Sequence, residues 1–164
     1  MTASAIVYVS NTGYTARYAA ILSEKLGIPA HTLADADRAL PTGTPILYMG
    51  WLMAGSVKDC KKAVRRFDVR AVIGVGLGDT GAQDDQARKA CALPEDVPVF
   101  TVQGGMDITK LKGPYKLVIR LLTKAMAGKK DATPGEARMA ELLQSGGDFV
   151  SEKELAAVLA WAQK

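Results

Sequence analysis

The first group of residues with recognisable chemistry is a small polar run between an apolar segment and a segment of helical periodicity. This run, Ser10–Thr15, reads Ser-Asn-Thr-Gly-Tyr-Thr and follows the apolar segment Ala5–Val9. Free N–H groups at a helix start attract anions, and the hydroxyls and the amide of the run add neutral donors. Gly13 allows the backbone to approach a ligand closely. Because the run holds no lysine or arginine, we expect neutral groups to hold a phosphate there; the alternative is an ordinary capped strand-to-helix turn.

Two further glycine-bearing runs follow later apolar segments. The second run, Gly50–Gly55, carries Trp51, whose ring could stack on a flat ligand or simply pack under the loop. The third run, Gly76–Gly81, reads Gly-Leu-Gly-Asp-Thr-Gly and offers backbone groups to the polar edge of a ligand. In doubly wound sheets, ligands bind where such runs meet at the carboxyl ends of the strands.

The first run, with Val7-Tyr8-Val9 before it, resembles the phosphate loop of flavodoxins, whose pattern is S/T-x-T-G-x-T. The third run resembles their G-x-G-D-[ST] loop. The resemblance implies a flavodoxin-like, doubly wound, five-stranded parallel α/β sheet of order 2-1-3-4-5, and it implies FMN. It places the phosphate on the first run and the ring between the other two; without a tyrosine in the third run, we expect one ring face to be open. The implied cofactor-binding residues are Ser10, Asn11, Thr12, Gly13, Tyr14, Thr15, Trp51, Leu52, Met53, Ala54, Gly55, Gly76, Leu77, Gly78, Asp79 and Thr80.

Two other motif matches are weaker. The third run also reads G-x-G-x-x-G, the dinucleotide fingerprint, but the next apolar run ends in Gln103 rather than in an acidic residue. Cys60 and Arg66 have the C-x5-R spacing of phosphatases, yet no glycine lies between them and the segment has the pattern of mid-helix. We therefore interpret Cys60 as a core residue and assign no catalytic role to His31.

Apolar, β-branched segments alternate with segments of helical periodicity, which predicts parallel strands joined by helices in a single domain, 1–164. We expect strands at Ala5–Val9, Ala30–Leu33, Pro45–Gly50, Ala71–Val75 and Val97–Val102. We expect helices after Thr15 as far as Leu26 and at Asp35–Leu40, Ser56–Phe67, Gln83–Cys91 and Ser151–Gln163, the last with a Ser151–Glu154 capping box.

The composition is that of a soluble globular domain: 164 residues, 48% apolar and 23% charged. Two cysteines and one histidine exclude cysteine-rich zinc sites and histidine-rich metal sites, so we expect no metal. No catalytic side chain stands out, which fits a cofactor that supplies the chemistry. Met1–Ser4 carries no cation and no long apolar stretch follows, so we expect a cytoplasmic protein.

A long segment, about 104–147, separates the fifth expected strand from the last helix, where a few residues would suffice. We call it the insertion and expect helices at Tyr115–Met126 and Gly135–Gln144. From Asp107 to Arg138 it holds eight basic and three acidic residues, whereas the whole chain has a net charge of only +4. That is too mild to indicate nucleic-acid binding.

Three cations of the first insertion helix, Lys116, Arg120 and Lys124, are spaced by four residues and form one stripe beside an apolar surface. The helix is too short to span a bilayer. It could lie on an anionic membrane, for instance at the inner face of the cell membrane, or dock on a partner. Alternatively, its apolar face covers the protein's own core or cofactor and the stripe is merely solvated.

The insertion begins Gly104-Gly105-Met106-Asp107, and Lys110-Leu111-Lys112 and the basic, apolar helix follow. This pattern is similar to the insertion of the menaquinone-dependent protoporphyrinogen oxidase branch of flavodoxin-like proteins. That resemblance implies an FMN-dependent oxidoreductase that moves hydrogen or electrons to or from a quinone-like or porphyrinogen-like substrate. Two alternatives stay open: a non-enzymatic electron-transfer module, and a fold that has lost its flavin. Free flavodoxins are strongly acidic and this chain is not, which argues against a simple shuttle.

Overall fold

Parallel strands form the centre of the molecule in a computed structural model that describes residues 3–111, 113–127 and 131–163. Five of them lie side by side in the order β2-β1-β3-β5-β6, while β4 pairs antiparallel with β3 and a separate antiparallel pair joins β7 to β8. The strands are β1 (Ala5–Val9), β2 (Ala30–Thr32), β3 (Pro45–Met53), β4 (Ser56–Val57), β5 (Asp68–Gly76), β6 (Val99–Gln103), β7 (Gly105–Met106) and β8 (Gly147–Asp148).

Helices connect the strands and cover both faces of the sheet. The α-helices are α1 (Tyr14–Leu26), α2 (Leu33–Ala39), α3 (Cys60–Arg66), α4 (Asp84–Cys91), α5 (Tyr115–Ala127), α6 (Pro134–Ser145) and α7 (Ala156–Ala162). Two short 3₁₀ helices lie at Ile108–Lys110 and Glu152–Leu155.

The core has two halves because successive side chains of a strand point to opposite faces of the sheet. On one face, Val7 of β1 and Tyr48 of β3 pack with buried residues of α2, α3 and α4. On the other face, Ile6 and Met49 pack with α1 and with the C-terminal segment, which contributes Leu155. The apolar strands are thus buried on both sides, as the continuous apolar runs of the sequence predicted. The expected parallel α/β sheet and its strand order are confirmed.

The end of β3 differs from the expectation. Gly50 was expected to end the strand, but β3 continues to Met53 and turns back into β4, so the second run is a β-hairpin and not a loop. Ala54 and Gly55, with φ of 50° and 76°, form the two-residue turn that suits such a hairpin. The expected helix 56–67 is therefore wrong in its first turn, and α3 begins only at Cys60.

The C-terminal helix also differs. A 3₁₀ turn precedes α7, and the expected capping box is wrong: Ser151 accepts a hydrogen bond from the Lys153 N–H at 3.3 Å, while the Glu154 carboxylate accepts one from the Thr80 hydroxyl. A capping box does occur at the start of α6, between Thr133 and Glu136.

The insertion leaves and re-enters the domain through one small piece of sheet that the sequence did not predict. Gly105 pairs with Asp148 and Met106 with Gly147, so β7 and β8 bring the two ends of the insertion together. The Phe149 N–H also donates to the Gly104 carbonyl at 2.7 Å. Between these ends α5 packs against α6 near the expected positions, and the Thr123 hydroxyl of α5 lies 3.5 Å from the Leu143 carbonyl oxygen of α6.

Candidate functional site

A cavity of about 470 Å³ lies at the carboxyl ends of β1, β3 and β5, within the size range of small-molecule sites. The three runs singled out in the sequence line it together, and helices α5 and α6 of the insertion cover it. Thirteen of the sixteen expected site residues line it: Ser10, Asn11, Thr12, Tyr14, Thr15, Trp51, Leu52, Met53, Ala54, Gly55, Gly76, Leu77 and Gly78.

Gly13, Asp79 and Thr80 do not line this cavity. Gly13 stands at the N-cap of α1 and faces a groove on the other side of the first run. Asp79 is exposed and pairs with Arg138 of α6 at 3.7 Å. The Thr80 hydroxyl accepts the Gln103 N–H at 3.0 Å. In this structure, the two polar side chains of the third run thus hold neighbouring segments rather than face the cavity.

The first run forms the polar end of the cavity. Ser10 Oγ accepts the Gly13 N–H at 3.2 Å, and Gly13 has a φ of 101°, which glycine adopts without strain. Within the part of the chain that the structure describes, the N–H groups of Thr12, Tyr14 and Thr15 donate to no acceptor. The N–H groups of Tyr14 and Thr15 belong to the first turn of α1, and that of Thr12 lies just before its N-cap; all three are available to an anion.

Trp51 stands at the junction of the hairpin and the insertion. Its ring is half-buried and meets Tyr115, the first residue of α5, edge to face, with 5.0 Å between the ring centroids and 86° between the planes. Trp51 therefore lines the cavity and also contacts helix α5, which covers the cavity. The sequence suggested only that its ring stacks on a ligand or packs under its own loop.

The backbone of the third run is tied to β6. The Gly104 N–H donates to the Gly76 carbonyl at 2.8 Å, and Gln103 Nε2 donates to the Leu77 carbonyl at 3.1 Å. At the far end of the run, the Gly81 N–H donates to the Thr101 carbonyl at 2.8 Å. A Cβ at Gly76 would come within 3.0 Å of Leu52, so glycine lets the third run lie close to the hairpin.

Asp84, at the start of α4, fixes the segment that follows the third run. Its Oδ1 accepts both the Thr101 N–H at 2.6 Å and the Thr101 hydroxyl at 2.7 Å. Thr101 is 3% exposed, and its hydroxyl oxygen also accepts the Gln83 N–H at 3.3 Å. The chain thus holds α4 against β6 through one buried side chain.

Several cavity residues were not among the expected site residues. Two carboxamides come from the start of α4, and a group of apolar and aromatic side chains comes from the insertion. They include Gln83, Gln86, Leu111, Tyr115, Val118, Ile119, Leu122, Met139 and Leu143. The apolar periodicity of α5 could have predicted that its side chains line the cavity. Nothing in the sequence distinguished the two glutamines from surface residues.

Among the residues that the structure describes, no charged side chain lines this cavity, although the insertion that covers it is the most basic part of the chain. Burial is the main cause that raises the pKa of Tyr14, so its phenol stays neutral at physiological pH. The cavity therefore offers neutral donors at one end and an apolar, aromatic space over the rest.

The cysteines and the histidine lie outside the cavity. Cys60 and Cys91 are free and buried in the core, and Cys60 begins α3 rather than lying in mid-helix as expected. A hydrogen bond with Cys91 and burial raise the pKa of the Cys60 thiol, the opposite of what a phosphatase nucleophile requires. His31 lies on β2, half-exposed.

Comparison of the chain with protein-family models, with curated proteins and with solved structures found no match. Among the described residues, every helix is too short or too polar to cross a bilayer.

Proposed function

We propose that the chain is a flavodoxin-like protein that binds FMN in this cavity, and that it is an oxidoreductase acting on a quinone-like or porphyrinogen-like substrate. The observation that carries the proposal is the meeting of the three runs in one cavity. The sheet order β2-β1-β3-β5-β6 also supports the proposal. When the short strand β4 is left out and the remaining strands are numbered in chain order, this is the order 2-1-3-4-5 of the flavodoxin-like fold.

The donor set fits a phosphate at one end of the cavity. The N–H groups of Thr12, Tyr14 and Thr15 have no acceptor among the described residues, and the hydroxyl of Thr12 is equally without a partner there. A phosphate would accept hydrogen bonds from these groups and would interact favourably with the dipole of α1. The apolar remainder, with Trp51 on one side, suits a flat heteroaromatic ring.

Bound FMN would supply the transfer of electrons and hydrogen, and the residues of the chain would bind, orient and shield it. The first run would hold the phosphate, and the hairpin would flank the ring through Trp51. The backbone of Gly76–Gly78 would meet the polar edge of the ring, because β6 holds this part of the third run in place. Helices α5 and α6 would exclude water from the cavity.

The lining supports an apolar substrate. A carboxylate-bearing substrate would find no cation among the described residues that line this cavity, and burying an unpaired carboxylate is unfavourable. Of the two proposed substrate classes, a quinone-like ring fits the cavity better, and the carboxylates of a porphyrinogen would have to remain outside. The cover formed by the insertion also favours an enzyme over an electron-transfer module, which needs its cofactor edge near the surface.

The test of cofactor binding is titration of the flavin-free protein with FMN and with riboflavin, followed by flavin fluorescence. We expect FMN to bind with one-to-one stoichiometry and riboflavin to bind much more weakly, because the donors of the first run would have no phosphate. Failure to bind FMN, or equal binding of the two flavins, would refute the proposed site.

Turnover distinguishes the enzyme from the module. The FMN-loaded, chemically reduced protein is mixed with a soluble quinone and the reoxidation of the flavin is followed. Shortening the insertion should slow this reoxidation while FMN remains bound. An electron-transfer module would instead keep the same reoxidation rate after shortening.

A further inference from the structure

Helix α5 presents two different surfaces. Tyr115, Ile119 and Leu122 line the cavity, and α5 packs against α6. Two leucines point elsewhere: Leu117 and Leu121 are 61% and 60% exposed, among the most exposed large apolar side chains of the described residues. The interpretation that the apolar surface of α5 only covers the protein's own core and cofactor therefore leaves these two leucines unexplained.

The exposed leucines lie beside the basic stripe. Leu117 and Leu121 are one helical turn apart on α5. Arg120 and Lys124, each three residues after one of these leucines, lie on the adjacent side of the helix. The stripe residues Lys116, Arg120 and Lys124 are exposed, and none forms an ion pair with the described residues. We call these two leucines and three cations the outer face of α5.

We propose that the outer face of α5 docks on the surface of an anionic lipid bilayer, with Leu117 and Leu121 entering the boundary between headgroups and acyl chains. The cations complement the negative charge of the headgroups, and the leucines have an apolar region to enter. This combination is the one that binds interfacial helices to membranes. The proposal does not depend on which cofactor the cavity holds.

Other occupants fit this surface less well. A second copy of the chain would bring two basic stripes close together in a symmetric contact, which is repulsive. A nucleic acid would satisfy the cations but would leave exposed leucines against phosphates. A bilayer surface satisfies both parts of the outer face.

The experiment is cosedimentation of the full chain with vesicles of phosphatidylcholine alone and with vesicles that contain equal parts of phosphatidylglycerol. We expect binding to the anionic vesicles that weakens as salt is added, and little binding to the neutral ones. K116Q/R120Q/K124Q should weaken binding about one hundredfold, and L117Q/L121Q at least about tenfold.

Helix α3 offers a matched control, because it too carries exposed cations beside an exposed apolar residue. K61Q/R65Q and Val64→Gln remove the same kinds of side chain from α3, where Val64 is 37% exposed. These variants should bind vesicles like the unchanged protein, and circular dichroism checks that all variants are folded.

A second measurement does not depend on loss of binding. Leu117→Trp places a fluorophore on the outer face, and its emission should shift to shorter wavelength with anionic vesicles and not with neutral ones.

The proposal is overturned if the unchanged protein ignores anionic vesicles or binds neutral vesicles equally well. It is also overturned if the α3 variants lose as much affinity as the α5 variants, or if Leu117→Trp shows no shift. A dimer in sedimentation that L117Q/L121Q dissolves would assign the outer face to a second copy instead.

Discussion

The hydroxyl of Thr12 gives the sharpest test of how the first run would hold a phosphate. Thr12→Val removes this hydroxyl and keeps the shape of the side chain. Because the hydroxyl has no partner among the described residues, its loss should leave the fold unchanged and remove only a bond to the ligand. A hydrogen bond to a charged group is worth about 1.5–3 kcal/mol, so FMN should bind about 10- to 150-fold more weakly.

The assay compares FMN with riboflavin, which has the same ring but no phosphate. Fluorescence titration of the unchanged protein, of Thr12→Val and of the control Thr44→Val gives six dissociation constants. Thr44 precedes β3 at the amino end of that strand, and within the described part of the chain its hydroxyl bonds to the Pro41 carbonyl alone. The affinity for FMN should fall in Thr12→Val alone, and the affinity for riboflavin should not change. An equal loss for both flavins would show that the first run does not hold the phosphate.

Three further predictions concern the supports of the site. Thr101→Val removes the hydroxyl that joins β6 to Gln83 and Asp84 at the start of α4, so the free energy of unfolding measured in urea should fall by about 2 kcal/mol. Gly105→Ala places a methyl group against the backbone of β8, which should separate β7 from β8, cost about 1–3 kcal/mol and expose the insertion to limited proteolysis. A hydrogen bond from Arg17 lowers the pKa of Asp148 below its usual 3.8. The ion pair should therefore stabilise the fold above pH 3.8 and lose this effect as the pH falls through the lowered pKa. Asp148→Asn should reduce the free energy of unfolding, measured in urea, at neutral pH and much less in acid.

Each of these predictions has a matched comparison. Thr44→Val, whose hydroxyl donates to the Pro41 carbonyl within its own turn, should change stability by less than about 0.5 kcal/mol, and an equally small change for Thr101→Val would contradict the role of the Thr101 hydroxyl. Gly135→Ala, where a Cβ meets no atom within 4 Å, should leave proteolysis unchanged. An acid-stability curve that is the same with and without Asp148→Asn would show that the Arg17 pair contributes nothing.

The sequence predicted the sheet because its signals were local. Apolar runs such as Ala5–Val9 are buried on both faces, and periodicity and glycines marked the helices between them. The carboxyl ends of parallel strands lie along one edge, so the three runs could be expected to meet there, and thirteen of the sixteen proposed residues line one cavity. Whether these residues bind FMN stays a prediction.

What the sequence could not predict depended on contacts between distant segments. The first turn residue of the β3–β4 hairpin, Ala54, has a positive φ, which alanine rarely adopts. A glycine at this position would have indicated the hairpin, and the sequence has none there. The pair β7–β8 joins residues about forty positions apart, and each strand is only two residues long. Glu154 was expected to cap the last helix, but its carboxylate accepts a hydrogen bond from the Thr80 hydroxyl instead. This contact depends on tertiary packing, which a local sequence pattern does not indicate.

The antiparallel pair β7–β8 has a consequence for how the chain can be divided. Because Met106 and Gly147 lie opposite one another, a two-residue turn could join them directly and omit everything between. The central sheet would keep its connections, because all of its strands lie outside the insertion. The ends of the insertion are therefore adjacent, and we expect that it can be removed from this domain, or placed in another parallel sheet, without lengthening the chain between β6 and α7.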